Sequence, residues 1–191
     1  MSDTGRRRTA VWPPFKRAAD FAGALILSVL LIPLFAVVCV MVLLSRPGAG
    51  PFYTHDRVGR RGKVFRIVKF RTMDREGKVT RTGAFLRRSG LDELPQLWNI
   101  IRGDMSFVGP RPLDVEETAM HAARSEAGVY SVRPGLTGLA QIKGRDMLPD
   151  SDKLAYDKEY VEKTSPATDA GILFATVRVL LGPQAYPGGK E

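Results

Sequence analysis

From Phe21 to Leu44 the chain runs for 24 residues without one charged side chain. As a helix rising about 1.5 Å per residue the run would reach roughly 36 Å, against a hydrocarbon core of about 30 Å. It therefore enters a bilayer in some form. A cleavable signal peptide fits poorly, because the run is too long and no small-residue cleavage site follows it. Pro33 divides it into twelve uncharged residues before and eleven after, so each half reaches only about 16–18 Å. Proline cannot donate to the Val29 carbonyl and bends a helix there. Both flanks are basic, with Arg6, Arg7, Arg8, Lys16 and Arg17 before and Arg46, Arg57, Arg60 and Arg61 after. The positive-inside rule then selects no direction, whereas a hairpin returning to one face satisfies both ends. A kinked spanning helix is the competing reading, and the residues alone leave both open. A second apolar stretch, Ala170 to Leu181, is too short to span and contains Arg178; it reads as an interfacial helix or a helix packed on the domain.

The net charge of +9 is unevenly placed. Residues 1–20 carry +3, residues 46–88 carry +10, and the remainder carries −4. A basic block next to an apolar segment points first to anionic lipid, where each Lys or Arg contributes roughly 1 kcal/mol. Nucleic acid is the competing partner for such charge, but no zinc spacing, stacking aromatic motif or basic helix supports it. Cys39 is the single cysteine and lies inside the apolar run, which excludes a disulfide framework and gives no thiol chemistry.

Ser89-Gly-Leu-Asp-Glu-Leu-Pro-Gln-Leu-Trp-Asn99 sets two carboxylates, Asp92 and Glu93, where a short helix is expected to begin. Leu94, Leu97, Trp98 and Ile101 form its apolar stripe, and Gly103 ends it. A carboxylate at that end is expected to feel the positive pole of the helix, stay ionised and share a phosphate-friendly site. The plain alternative is that the pair only stabilises its helix. Val58-Gly-Arg-Arg-Gly62 reads as a tight turn into a strand, Val64 to Phe70. On that strand Phe65, Ile67, Lys69 and Arg71 share a face. Charges continuing an apolar row need an anion opposite, either a carboxylate of this chain or a ligand phosphate, unless the strand is a solvated edge.

Gly109-Pro-Arg-Pro112 restrains the backbone on both sides of Arg111, which suits a bidentate grip on phosphate. Arg133-Pro-Gly-Leu-Thr-Gly138 and Gln141-Ile-Lys-Gly-Arg145 repeat the pattern, with glycines permitting close backbone approach beside basic groups. Each singly reads as an ordinary turn; three in one small membrane-associated domain beside an acid pair are harder to dismiss. Asp150 to Pro166, with Tyr156, Asp157 and Tyr160, reads as a charged helix with a mostly solvated face.

Taken together these residues resemble the bacterial sugar transferase family, the monotopic phosphoglycosyl transferases. The resemblance rests on the proline-interrupted apolar segment, Lys69-Phe-Arg-Thr-Met73, and Arg87 followed by Leu91-Asp-Glu-Leu-Pro-Gln-Leu97. It continues through Gly103-Asp-Met-Ser-Phe-Val-Gly-Pro-Arg-Pro112 and Arg133-Pro-Gly-Leu-Thr-Gly-Leu-Ala-Gln141 with Gly144-Arg145, and covers residues 15 to 182. It implies transfer of a sugar-1-phosphate from a UDP-sugar to polyprenol phosphate, giving polyprenol-diphosphate-sugar and UMP, the first membrane step of glycoconjugate assembly. Asp92 is then the nucleophile of a covalent phospho-sugar intermediate, and Glu93 a general base or positioning group. Magnesium (Mg2+) would sit at Asp92, with Lys69, Arg87, Arg111 and Arg145 holding phosphates or nucleotide. At the membrane bend, where many members carry Ser-Pro, this chain has Ile32-Pro33; Ser28, one turn earlier, could bond a freed carbonyl instead.

The expected fold is α/β (α+β). It comprises a basic tail (1–14), a re-entrant membrane helix (15–46), a catalytic domain of interfacial helices and short strands (47–182) and a C-terminal tail (183–191). The expected location is the cytoplasmic face of the bacterial inner membrane, with membrane lipid as a partner and no nucleic acid. Homodimerisation is left open. The rival from another class is a non-catalytic basic adaptor that binds anionic lipid or a partner protein.

Overall fold

The computed structural model describes residues 12–45, 48–144 and 147–181. Arg145, Arg46, the Arg6–Arg8 cluster and the C-terminal tail lie outside them. Helices α1 (Trp12–Leu30) and α2 (Ile32–Ser45) meet at Leu31. Among the described residues no single helix is long and apolar enough to cross a membrane, but these two pass together, bent by 65°. The break falls one residue before Ile32-Pro33. Hydrogen bonding resumes at once, with the Leu31 amide on the Leu27 carbonyl (2.9 Å) and the Phe35 amide on that of Leu31 (2.8 Å). Pro33 thus stands in the first turn of α2, where its missing N–H costs least.

Strands β1 (Phe52–Val58) and β2 (Val64–Phe70) pair antiparallel from Phe52 opposite Phe70 to Val58 opposite Val64. The turn between them, Arg60–Gly62, holds Arg61 at φ 60°. Helices α3 (Arg81–Ser89) and α4 (Gln96–Arg102) follow, then strand β3 (Ser106–Val108) and the two-residue strand β4 (Leu113–Asp114). β4 adds to the free edge of β1, giving the order β2-β1-β4. Helix α5 (Thr118–Glu126) leads to strand β5 (Gly135–Thr137), which pairs parallel with β3. Helices α6 (Leu139–Lys143), α7 (Asp150–Lys163) and α8 (Pro166–Leu181) complete a mixed α/β domain with short strands.

The strand period of β2 explains how the hairpin is attached. Phe65 and Ile67 point to one face and pack with Leu97, Ile100, Met105 and Ala24 of α1. Phe70 points to the other face and packs with Leu86, Val38 and Val42 of α2. The sheet is therefore clasped by both arms. Asn99, fully buried, ties α4 to the strand: its Nδ2 donates to the Arg66 carbonyl (2.8 Å) and its Oδ1 accepts from the Val68 amide (3.1 Å). Lys16, Arg17 and Asp20 fasten the start of α1. Lys16 meets Asp169 (2.6 Å), Arg17 donates to the Ile100 and Ile101 carbonyls (2.6 and 2.8 Å), and Asp20 accepts from the Phe107 amide (3.2 Å).

Three local expectations need correcting. Trp98, expected on the apolar stripe, is 57% exposed, and Gln96, Leu97, Asn99 and Ile100 are the buried set. The helix starts later than expected, at Gln96, while Leu94, Leu97 and Ile101 of the stripe still pack on the core. Arg71 lies just past β2, and its guanidinium finds the Gly50 and Phe52 carbonyls (3.2 and 2.9 Å) rather than an anion. In α7, Asp157 and Tyr160 are buried. Asp157 pairs with buried Arg124, and the Tyr160 hydroxyl lies 2.9 Å from both the Val108 carbonyl and Asp169. α8 packs on the domain through Ile172, which contacts Val108 and Tyr160, while Leu173, Phe174 and Val177 stay exposed.

Candidate active site

Asp92 sits between two helix ends. Thr80 caps α3, its side chain accepting from the Gly83 amide (2.9 Å), and Gly90 closes that helix at φ 71°. A short 3-10 turn, Leu91–Glu93, then delivers the two carboxylates before Pro95 opens α4. The turn packs on β2 because Gly83 lets α3 approach closely: a Cβ there would lie 1.9 Å from the Thr72 carbonyl oxygen.

Around this turn the sequence candidates converge. Lys69 Nζ donates to Glu93 Oε1 at 3.0 Å, so the anion demanded by the charged row of β2 is a carboxylate of the same chain. Arg111 lies 3.8 Å from the same oxygen. Arg87 Nε donates to Thr72 Oγ1 (3.0 Å) and its charge reaches Asp92. Asp92 itself is buried. Burial, followed by the neighbouring charge of Glu93, pushes its carboxyl up to about 6, and Lys69 and Arg87 only partly pull it back. A carboxyl near 6 is still mostly ionised at neutral pH, but burial and Glu93 make that charge costly, and Lys69 and Arg87 are the groups that support it.

Arg111 is held by its backbone. Gly109, Gly135 and Gly138 interlock: a Cβ on Gly109 would lie 2.3 Å from the Arg133 carbonyl oxygen, and one on Gly138 2.1 Å from that of Gly109. The glycines do bring backbones close, but to each other. Arg124 donates to the Arg111 carbonyl (2.7 Å) and Arg57 to that of Pro112 (3.3 Å). Arg133 is spent structurally, donating to the Gly103 carbonyl at 2.8 Å. Sequence reasoning missed the buttresses Thr72, Asn99, Arg57 and Arg124. Only Thr72 and Asn99 carried a signal, as members of the quoted motifs.

Hard oxygen donors suit magnesium, which prefers one or two carboxylates completed by substrate phosphates. Asp92 and Glu93 offer that donor set, and the raised Asp92 carboxyl marks a place where added positive charge is favourable. A separate group, His55, Asp114 and Glu116, brings ligand atoms within 4.8 Å of one another and could hold a divalent metal. Asp114 is already engaged there by Arg57 (2.7 Å) and by His55.

Residues 11–183 match the model of the bacterial sugar transferase family. The chain is 37% identical over 194 residues to the UDP-galactose-lipid carrier transferase of Erwinia amylovora, covering 87% of this chain and 40% of that protein. It is 38% identical over 190 residues to the exopolysaccharide production protein ExoY of Sinorhizobium fredii, covering 85% and 83%. It is 37% identical over 186 residues to the UDP-glucose:undecaprenyl-phosphate glucose-1-phosphate transferase of Caulobacter vibrioides, covering 87% and 69%.

Proposed function

We propose that this chain, which belongs to the bacterial sugar transferase family, moves a sugar-1-phosphate from a UDP-sugar to polyprenol phosphate and so begins assembly of a glycoconjugate. The observation that carries the reading is a buried carboxylate, Asp92, within the field of Lys69 and Arg87 and beside a Glu93 shared by Lys69 and Arg111. An acid in that setting is poor company for lipid alone and good company for a diphosphate.

In the first half-reaction an Asp92 oxygen attacks the sugar-proximal phosphorus. The bond from that phosphorus to the bridging oxygen breaks, and UMP leaves with the electron pair. In the second, an oxygen of polyprenol phosphate attacks the same phosphorus, the bond to Asp92 breaks, and the carboxylate is restored. Lys69, Arg87 and Arg111 offset the charge that builds on the phosphoryl oxygens. Arg145 is a further candidate for the nucleotide phosphates. Glu93, engaged by two cations, acts chiefly as a positioning residue that holds them beside Asp92. Asp92 would hold magnesium, which when bound neutralises diphosphate charge and polarises the reacting phosphoryl group.

The bent pair α1–α2 is read as a re-entrant hairpin that sets this site at headgroup level on the cytoplasmic face of the inner membrane. The exposed apolar side chains of the hairpin, such as Leu30, Ile32, Val37 and Leu44, and of α8, such as Phe174, support contact with lipid. Asp92→Asn tests the chemistry. It should abolish both UMP release and the trapped phospho-sugar adduct while vesicle binding persists. UMP release by the variant at the wild-type rate would remove Asp92 from the nucleophile's role, whereas no UMP release by wild type from any UDP-sugar would favour the adaptor reading.

A further inference from the structure

The segment that carries Arg111 is held at two points, and both trace to one face of α7. At its entrance the Tyr160 hydroxyl stands 2.9 Å from the Val108 carbonyl of β3. At Arg111 itself the main-chain carbonyl accepts from Arg124 Nη1 at 2.7 Å, and Nη2 of the same guanidinium pairs with Asp157 Oδ2. Asp157 and Tyr160 are three residues apart in α7, so they project from one side of it. Arg124, Asp157 and Tyr160 are all buried, at 3%, 2% and 1% exposure. Between the two points Pro110 and Pro112 fix their own φ and narrow the choices of Gly109 and Arg111. The segment therefore moves as a unit, and its ends decide where it sits.

As a source of stability the Arg124–Asp157 pair is poor. Taking two charges out of water costs about as much as their attraction returns. Burial pushes the Asp157 carboxyl up despite the adjacent guanidinium, and Arg124 Nε has no hydrogen-bond partner among the described residues. What the pair supplies is direction. A guanidinium is planar and sets its donors in a rigid fork, so a carboxylate on Nη2 fixes where Nη1 points. Nη1 points at the Arg111 main chain. The Arg111 side chain is partly exposed and stands 3.8 Å from Glu93 Oε1, an ion pair rather than a hydrogen bond, so its aim depends on the backbone beneath it. Arg57 adds a longer contact to the Pro112 carbonyl (3.3 Å), so without Arg124 the segment loosens rather than detaches.

We propose that Asp157 is a positioning residue for the transfer: through Arg124 it holds the Arg111 main chain while Tyr160 holds Val108, so that α7 sets the reach of the Arg111 guanidinium toward the phosphates. The inference rests on the transferase reading and adds a buried helix face to it. It is tested on the full chain in lipid nanodiscs by UMP release, with Arg111→Ala as the reference variant. Arg124→Met combined with Asp157→Leu removes the bond to Arg111 without stranding a buried charge, and should melt close to wild type. It should nevertheless lower kcat about a hundredfold, the loss expected from roughly 1 Å of misplacement, with KM for the UDP-sugar within about twofold. In the Arg111→Ala background the same replacement should cost less than about twofold, because no guanidinium is left to misplace; a merely structural loss would multiply into both backgrounds. Tyr160→Phe, which deletes one hydroxyl, should give a smaller loss with the same dependence on Arg111, and it decides the matter if the replaced pair does not fold. Equal losses in both backgrounds, or wild-type turnover by the replaced pair or by Arg111→Ala, overturn the clamp and leave the transferase reading intact. Absence of UMP release by wild type from every UDP-sugar overturns the two together.

Discussion

Asp92 is asked to be both buried and charged, and the two demands pull against each other. Its carboxyl stands at about 6 because burial and Glu93 outweigh Lys69 and Arg87. The proposed nucleophile must be ionised, so UMP release in a single turnover is expected to rise about tenfold per pH unit below 6 and to level off above it. A rate already flat from pH 5 to 8 would remove Asp92 from that role. Stability moves the opposite way. The folded carboxyl lies above its ordinary value near 4, so its contribution is complete below about pH 4 and is lost as pH rises through 6. Asp92→Asn, which cannot ionise, should therefore exceed wild type at pH 8 by up to about 3 kcal/mol, with the gap closing toward pH 4. Denaturant unfolding at the two pH values measures it. Of this the sequence disclosed Lys69, since a charge in a buried row demands a partner, but not the Asp92 shift. A 3-10 turn ahead of α4 and the first turn of a helix are written with the same residues, and their fields differ.

At the scale of elements, Arg111, proposed above to grip phosphate, stands on a backbone that is locked by main-chain packing. Proline on either side of Arg111 was legible as rigidity. That β3 and β5 run parallel and lock Gly109 against Gly135 and Gly138 was not, because three-residue strands leave no periodic trace. β1 escaped for a related reason: most of its side chains are exposed, so no alternation marks it. In α7 the charged surface pattern concealed Asp157 and Tyr160, whose partners Arg124 and Asp169 lie on other helices. Gly109→Ala tests the locking. Its Cβ meets backbone at 2.3 Å, which no side-chain rotation relieves. Shifting the loop by about 1 Å displaces Arg111 and should cost roughly a hundredfold in kcat/KM for the UDP-sugar, while the α1–α2 hairpin still binds vesicles. Near-normal turnover by this variant would mean that Arg111 is not held to the phosphate by its loop.

For the whole molecule the question is which side of the membrane each end of the hairpin occupies. The basic flanks and Pro33 left a kinked span and a re-entrant turn balanced; the packing supplies the missing argument. A spanning segment would begin on the face opposite the catalytic domain. Yet Lys16 pairs with Asp169 of α8, Arg17 caps the carbonyls of Ile100 and Ile101 in α4, and Asp20 takes the Phe107 amide of β3. Those bonds form only if the start of α1 lies on the same side as the domain. At the other end, Val38 and Val42 of α2 pack under Phe70, on that side again. A bend of 65° at Leu31 is compatible with the proposed return of both arms to that side. Cysteine placed at Arg7 in a Cys39→Ala background should therefore resist a membrane-impermeant maleimide in intact cells and react once the membrane is opened, as should a cysteine at Glu76 on the domain. Arg7→Cys labelled from outside, with Glu76→Cys protected, would require a spanning helix, and the contacts of Lys16, Arg17 and Asp20 could not then coexist with it.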